Sequence, residues 1–284
     1  MKMNEIYSGY SIQKLDEEDF ADFYNHYREA EYNPFNLYNN EYLILKDNED
    51  NIVDKYKYIE NKGSSYVDYI SLESKIFGKI KPKDIFQLFA LDSMTYNPVT
   101  LIGGPAGSGK SMLALGYLFE SLERGKINKI IIFTNPVGAR DCAQLGYYPG
   151  DVYQKMLTTQ VGHVLCSKIG SIIEVERLID SNQLEIIPAV DCRGYQIPPN
   201  CGCYILEAQN LTTDTLRMLL QRVSDDTKVI VDGDRFEQVD KEIYRTKNGM
   251  ISMSNIFRGS HLFGQVDLKE IYRSEIGKLA DKMR

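Results

Sequence analysis

The chain has 284 residues, 43% apolar and 26% charged, and a formal net charge of −7. That length and apolar content support one large domain or a main domain with a small appendage. No apolar run reaches the roughly 18–20 residues of a membrane span, and the N-terminus lacks the apolar core of an export signal. Five scattered cysteines point to a reducing compartment rather than a disulfide framework, so the expectation is a cytoplasmic protein with no membrane partner.

Residues 11–31 (SIQKLDEEDFADFYNHYREAE) read as a polar helix, with Leu15, Phe20 and Phe23 too sparse for a deep core. EYLILKD and NIVDKYKYIE flank the turn-rich Asn48–Asn51 and predict a hairpin, and SSYVDYISL (64–72) predicts a third strand. Residues 1–75 are therefore expected to form a small α plus β appendage without chemistry of its own, and residues 76–284 the main domain. Lys75, Lys79, Lys81 and Lys83 form a local basic run, which reads as a solvated face.

From about residue 84 strand, loop and helix alternate. VTLIGG (99–104), INKIIIFTNP (127–136), LEIIPAV (184–190), CGCYILEA (201–208) and TKVIVDGD (227–234) read as buried strands. Residues 110–124 read as a helix stopped by Gly125. TTDTLRMLLQRVSD reads as another helix, capped by Thr212 or Thr213, with Leu216, Leu219, Leu220 and Val223 on one stripe. Near-continuous apolar strands alternating with helices predict an α/β fold with a mainly parallel sheet covered on both faces.

Gly104-Pro105-Ala106-Gly107-Ser108-Gly109-Lys110-Ser111 matches G-x-x-x-x-G-K-[ST] between a strand and a helix. Glycines let the backbone wrap phosphates with N–H groups pointing inward, and the helix start adds its positive dipole end. Lys110 is expected to reach the β- and γ-phosphates and the Ser111 hydroxyl to hold Mg²⁺, with the binding set running on to Met112. Glu207, at the end of a neighbouring strand, is the expected orienter or base for the attacking water and a second metal contact. Asp234 and Gln238, after another strand, are placed to read the γ-phosphate. Cys201 and Cys203 lack the partners of a zinc site, and His26, His163 and His261 are isolated.

GPAGSGKS, LGYYPGDVYQKM (145–156), CRG (192–194), EAQNLT (207–212), LLQRVSDDTKVIVDGD (219–234) and RSEI (273–276) occur in this order. Over residues 75–284 the set resembles the PhoH-like ATPases, a RecA-type P-loop family related to the first helicase superfamily. NEYLILKDNEDNIVDKYKY with GKIKPKDIFQLFALDSM is similar to the lead-in of members fused to a PIN nuclease; no nuclease is expected from the residues before it. The resemblance implies ATP as cofactor with Mg²⁺, action on single-stranded RNA, and a ring-like homo-oligomer such as a hexamer. It implies that Gln87 recognises the adenine edge. It also implies that Arg222 or Arg273 neutralises transition-state charge, in the same chain or across a subunit boundary, worth about 10³–10⁵ in rate. Arg193 occupies the family's Arg-Gly position, and Tyr147, Tyr148 and Lys155 offer a stacking surface for a nucleic-acid strand or a packing surface.

One position departs from the pattern. A P-loop ATPase holds Mg²⁺ with the P-loop hydroxyl and a strand-end aspartate, and here Leu206 precedes Glu207. Slow hydrolysis, hydrolysis that needs a partner, and nucleotide sensing without turnover all stay open. Leu206→Asp is expected to raise ATP turnover, measured as phosphate release, if the new carboxylate reaches the metal shell; an unchanged rate in a folded variant means that another acid already fills that role.

Overall fold

A computed structural model describes residues 7–134, 165, 172–234 and 248–272. Its centre is a six-stranded parallel sheet made of β7 (Val99–Gly103), β8 (Lys129–Thr134), β9 (Leu184–Pro188), β10 (Cys201–Ile205), β11 (Lys228–Gly233) and β12 (Phe263–Asp267). The strand order is β12-β7-β11-β10-β8-β9, and every neighbouring pair is parallel. Helices α2 (Ile85–Tyr96), α3 (Lys110–Glu123) and α4 (Ile172–Asp180) pack on one face through Phe89, Leu118 and Leu178. Helices α5 (Thr213–Leu220) and α6 (Gly249–Phe257) pack on the other through Leu216, Leu219, Met250 and Met253. This is the expected α/β fold with a parallel sheet covered by helices on both faces, and the strands buried on both faces account for their unbroken apolar runs.

The five strands read from apolar runs are present, with β12 added at the edge, and Thr212 is the residue that caps α5. The edge strand is hard to read from sequence because in FGQVD the two apolar residues are interrupted by Gly264 and Gln265. Its Gln265 is buried and donates to the Tyr7 carbonyl at 2.6 Å.

Residues 11–31 are not one helix. Tyr10–Lys14 form β1, paired in parallel with β2 (Tyr42–Lys46), and helix α1 spans Glu17–His26. The break lies at Asp16, whose carboxylate accepts from the N–H groups of Glu18 and Asp19 and so starts the helix there. The hairpin of β2 and β3 (Ile52–Ile59) forms as expected, and β4 (Gly63–Tyr66) adds a further strand.

The expectation of a shallow core in this region is also corrected. β2 presents Leu43 and Leu45 to one side, where they join Phe23, Tyr56 and Tyr58, and Tyr42 and Ile44 to the other, where they join the core beneath α2. This is the two-residue alternation of a strand buried on both faces. Aromatic bulk fills the small cluster in place of aliphatic side chains, with Phe23 within 5.1–6.2 Å of five rings.

The N-terminal sheet is tied to the main sheet by buried polar contacts. Tyr42 donates to Asp92 of α2 at 2.7 Å, and the Lys57 ammonium donates to Asp92 at 3.1 Å and Asn97 at 2.9 Å. The Asn40 amide donates to the carbonyls of Ser260, His261 and Phe263 ahead of and within β12. A hairpin of β5 (Leu72–Ser74) and β6 (Gly78–Ile80) straddles residue 75 and lies on α3, where a Cβ on Gly116 would meet Ile80 at 2.2 Å.

Glu41 sits in this junction beside Tyr7, Tyr38 and Arg258, and burial pushes its carboxyl up to about 7. A carboxyl whose folded pKa lies above its unfolded value contributes stability that is complete below pH 4.5 and lost as pH rises to about 7. Glu41→Gln is expected to flatten the stability profile across that window and raise the melting temperature at pH 7.5 by about 2–4 °C, the shift that about 1 kcal/mol gives a chain of this size. Thermal unfolding of both proteins from pH 5 to 8 checks this.

Candidate nucleotide site

The site lies at the carboxyl ends of β7, β11 and β10, the edge where open α/β sheets bind ligands. The loop from Gly104 to Gly109 joins β7 to α3, with φ of 134° at Gly104, 85° at Gly107 and 98° at Gly109. A Cβ on Gly104 would stand 2.6 Å from the Leu268 carbonyl, so the tight approach of the residues after β12 requires glycine there. Ser108 is buried and donates to the Pro105 carbonyl at 2.8 Å. Lys110 folds back over the loop and donates to the carbonyls of Gly104 at 2.7 Å and Pro105 at 2.9 Å. Pro105, Ala106 and Met112 lie in and just after the same loop and are partly exposed.

Gln87 is buried against this loop. Its amide nitrogen donates to the Ser108 carbonyl at 2.9 Å, and its amide oxygen accepts from the Lys83 N–H at 3.0 Å. Asp84 caps α2 by accepting from the Gln87 N–H at 2.7 Å and also takes the Tyr272 hydroxyl. The Tyr272 N–H in turn donates to the Gly107 carbonyl at 2.9 Å. The start of α2 and residues 268–272 thus hold the P-loop from outside.

On the inner side Ser111 meets a residue that sequence reasoning did not single out. Its hydroxyl donates to Asp232 Oδ2 at 3.2 Å. The same carboxylate accepts from the Tyr204 hydroxyl at 2.6 Å and from the Glu207 N–H at 3.0 Å. Asp232 is 1% exposed. Burial raises its pKa, while Lys110 and the three donors oppose the rise, Lys110 most strongly. The signal was present in the sequence as an acid at the end of an apolar strand, in IVDGD, but its neighbour Asp234 drew the assignment.

Glu207 stands in the left-handed region at φ 52°, ψ 43°, a conformation that costs about 1–3 kcal/mol for a residue with a Cβ. The Asp232 carboxylate bonds the N–H of this turn and helps to hold it. Gln209 donates to the Glu207 carboxylate and accepts from the Asp234 N–H at 3.1 Å. A Cβ on Gly233 would fall 2.3 Å from the Gln209 side chain, so glycine is needed between the two aspartates for this contact. Leu206 is buried in the apolar cluster under α3.

The structure thus brings Lys110, Ser111, Glu207 and Asp234 to one edge of the sheet, with Gln87 behind the loop. Arg222 is not among them. The chain reaches it after α5 has run back toward the amino ends of the strands, and its carbonyl accepts from Ile197 N–H at 3.0 Å, just before β10 begins. Arg193 is exposed in the turn after β9. Gln238, Arg273, Tyr147, Tyr148 and Lys155 lie outside the described residues. Cys192, Cys201 and Cys203 are buried free thiols. No helix among the described residues is long and apolar enough to cross a membrane.

The family model for PhoH-like proteins matches residues 79–283. The chain belongs to the PhoH-like family. It is 27% identical to the protein PhoH2 of Bacillus subtilis (strain 168) over 98% of this chain and 64% of that protein. It is 29% identical to a PhoH-like protein of the same organism over 73% of this chain and 63% of that one. The chain therefore spans somewhat less than two thirds of these relatives' length. Among solved structures it is similar to a DUF1998 helicase, MrfA, bound to DNA, with a TM-score of 0.40, 9% identity, and coverage of 72% of this chain and 32% of that one.

The contacts of Gln87 yield a test of its work in the PhoH-like core. Gln87→Ala removes the partner of the buried Ser108 carbonyl, and a buried group left unpaired costs about 1–3 kcal/mol. Urea unfolding without nucleotide is expected to show a loss of that order. A residue that only read adenine would change ATP affinity and leave this baseline untouched.

Proposed function

We propose that the chain binds Mg-ATP at the loop 104–111 and hydrolyses it slowly, coupling the cycle to single-stranded RNA. The observation that carries this reading is the chain of contacts from Ser111 through Asp232 to Glu207, and from Glu207 through Gln209 to Asp234. It places a P-loop hydroxyl, a carboxylate on a strand-end turn, and the backbone that follows β11 in one connected unit at the phosphate edge of the sheet.

The residues fit a magnesium ion. Ser111 and the nearby carboxylates are hard oxygen donors, and one of those carboxylates, Asp232, already accepts from the Ser111 hydroxyl at 3.2 Å. Mg²⁺ suits such a site because it keeps its waters and takes one or two carboxylates plus substrate phosphates. When bound, it neutralises charge on the β- and γ-phosphates. The chain's own part is then to wrap the phosphates with the loop N–H groups, to contribute the Lys110 charge, and to use Glu207 to orient or deprotonate a water. Lys110 must leave the Gly104 and Pro105 carbonyls to do so, a change that bound phosphates drive by charge attraction.

Arg222 lies away from the P-loop, so a transition-state role for it would be played on a neighbouring copy in a homo-oligomeric ring. A second reading, a nucleotide sensor without turnover, is favoured by the burial of Leu206, which leaves the usual second-motif carboxylate missing.

Phosphate release measured with and without single-stranded RNA separates the two. Glu207→Gln is expected to lower turnover by about 10²–10⁴-fold, the usual size of an acid–base contribution, and Lys110→Ala by about 10²–10³-fold, the size of losing one electrostatic stabiliser. Tight ATP binding with no turnover selects the sensor, and no calorimetric ATP binding with Mg²⁺ rejects both. RNA affinity that falls steeply between low and moderate salt supports phosphate contacts; absent or salt-independent binding removes RNA from the function.

A further inference from the structure

We infer that Asp232 supplies, from the neighbouring strand, the metal-shell carboxylate that the second motif lacks at Leu206. The inference rests on the Mg-ATP reading above and gives Asp232, there only a link between Ser111 and Glu207, a role toward the metal.

The sheet register carries the argument. β10 and β11 pair in parallel as Tyr204 with Ile230 and Ile205 with Val231, so one further step sets Leu206 beside Asp232. Partners in register point to the same face. Here that face lies under α3, since Tyr204, Leu206 and Ile230 all belong to the apolar cluster that α3 covers. Asp232 is thus on the face the lost aspartate would use, displaced one strand sideways. The displacement is toward the P-loop, because β11 is the direct neighbour of β7 and Asp232 pairs with Ile102. From there the carboxylate touches Ser111, the other residue expected to hold the ion.

The surroundings support an ionised carboxylate in a fixed pose. A buried charge is tolerated only when it is well bonded, and Tyr204, Glu207 N–H and Ser111 supply three donors. Tyr204 is fully buried on a strand whose other positions are filled by small or aliphatic side chains and thiols. Its hydroxyl is the one polar side-chain group that β10 sends to this point, which makes it a positioning residue for Asp232. A carboxylate serving only as a brace would need neither the P-loop hydroxyl as partner nor the register position of the missing acid.

The test compares ATP affinity by calorimetry in Mg²⁺ and in EDTA for the full chain. Asp232→Asn keeps the shape of the side chain: its amide oxygen can still accept from the Glu207 N–H, and its amide nitrogen can donate to the Tyr204 hydroxyl oxygen. It is expected to cut the ratio of the two dissociation constants by about tenfold or more, with the EDTA value changed by less than about twofold; losses of about 10–100-fold are usual when a metal site's supporting contacts are removed. The double variant Leu206→Asp/Asp232→Val, which returns the carboxylate to β10, is expected to recover part of the ratio. A wild-type ratio in folded Asp232→Asn overturns the assignment. Should Asp232→Asn fail to fold, Tyr204→Phe carries the same test, with a fall of about two- to fivefold expected and an unchanged ratio overturning the inference. Wild-type chain that binds no ATP in either buffer overturns the nucleotide reading itself, and wild-type binding indifferent to Mg²⁺ overturns the metal part of that reading and the inference with it. A Mg²⁺-dependent wild type with an unchanged ratio in the variant overturns the role of Asp232 alone.

Discussion

One buried carboxylate organises the phosphate edge of this protein. Asp232 accepts from the P-loop helix through Ser111, from β10 through Tyr204, and from the left-handed turn at Glu207. Burying a charge there is costly unless every lone pair finds a donor, so the three elements must hold their relative positions for the carboxylate to be tolerated. The same requirement fixes the turn that aims Glu207, and Gln209 extends the connection to Asp234. Strand ends that would otherwise be free to splay are held to one another by polar bonds in a dry setting, where such bonds are strongest.

The N-terminal sheet reaches this edge through α2. Tyr42 stacks on Phe89 with ring centroids 4.3 Å apart and bonds Asp92, while Lys57 pairs with Asp92 and Asn97. The opposite end of that helix carries Asp84 and Gln87, which hold Tyr272 and Ser108. A single helix therefore bears the docking contacts of the N-terminal unit at one end and the outer support of the P-loop at the other. The aromatic cluster around Phe23 gives the N-terminal unit a core of its own, so it can present Tyr42 and Lys57 from a rigid sheet.

Much of the fold was legible because its signals are local. Apolar runs flanked by polar turns marked five strands of the main sheet, the G-x-x-x-x-G-K-S spacing marked the phosphate loop, and Asn48–Asn51 marked the hairpin. The errors arose where local pattern and tertiary context part. Ser11–Lys14 looked continuous with the helix after them, but with Tyr10 they become a strand because β2 offers them a partner. Phe20 and Phe23 looked too sparse for a core, since the rings that surround Phe23 come from distant positions such as Tyr56. The edge strand β12 went unread because its polar Gln265 is buried through a bond from its amide nitrogen to the Tyr7 carbonyl, a contact 258 residues away in sequence.

By itself the sequence determined the P-loop, the parallel α/β architecture and the ordered motifs of the PhoH-like family, because each is written in spacing along the chain. Only the tertiary structure decided which acid faces Ser111. Reading along the chain, Leu206 is a missing carboxylate and Asp232 an unremarked residue twenty-six positions later. The strand order that sets β11 between β7 and β10 makes them lateral neighbours on one face. That adjacency is a property of the sheet's crossovers, and no periodicity within either strand encodes it.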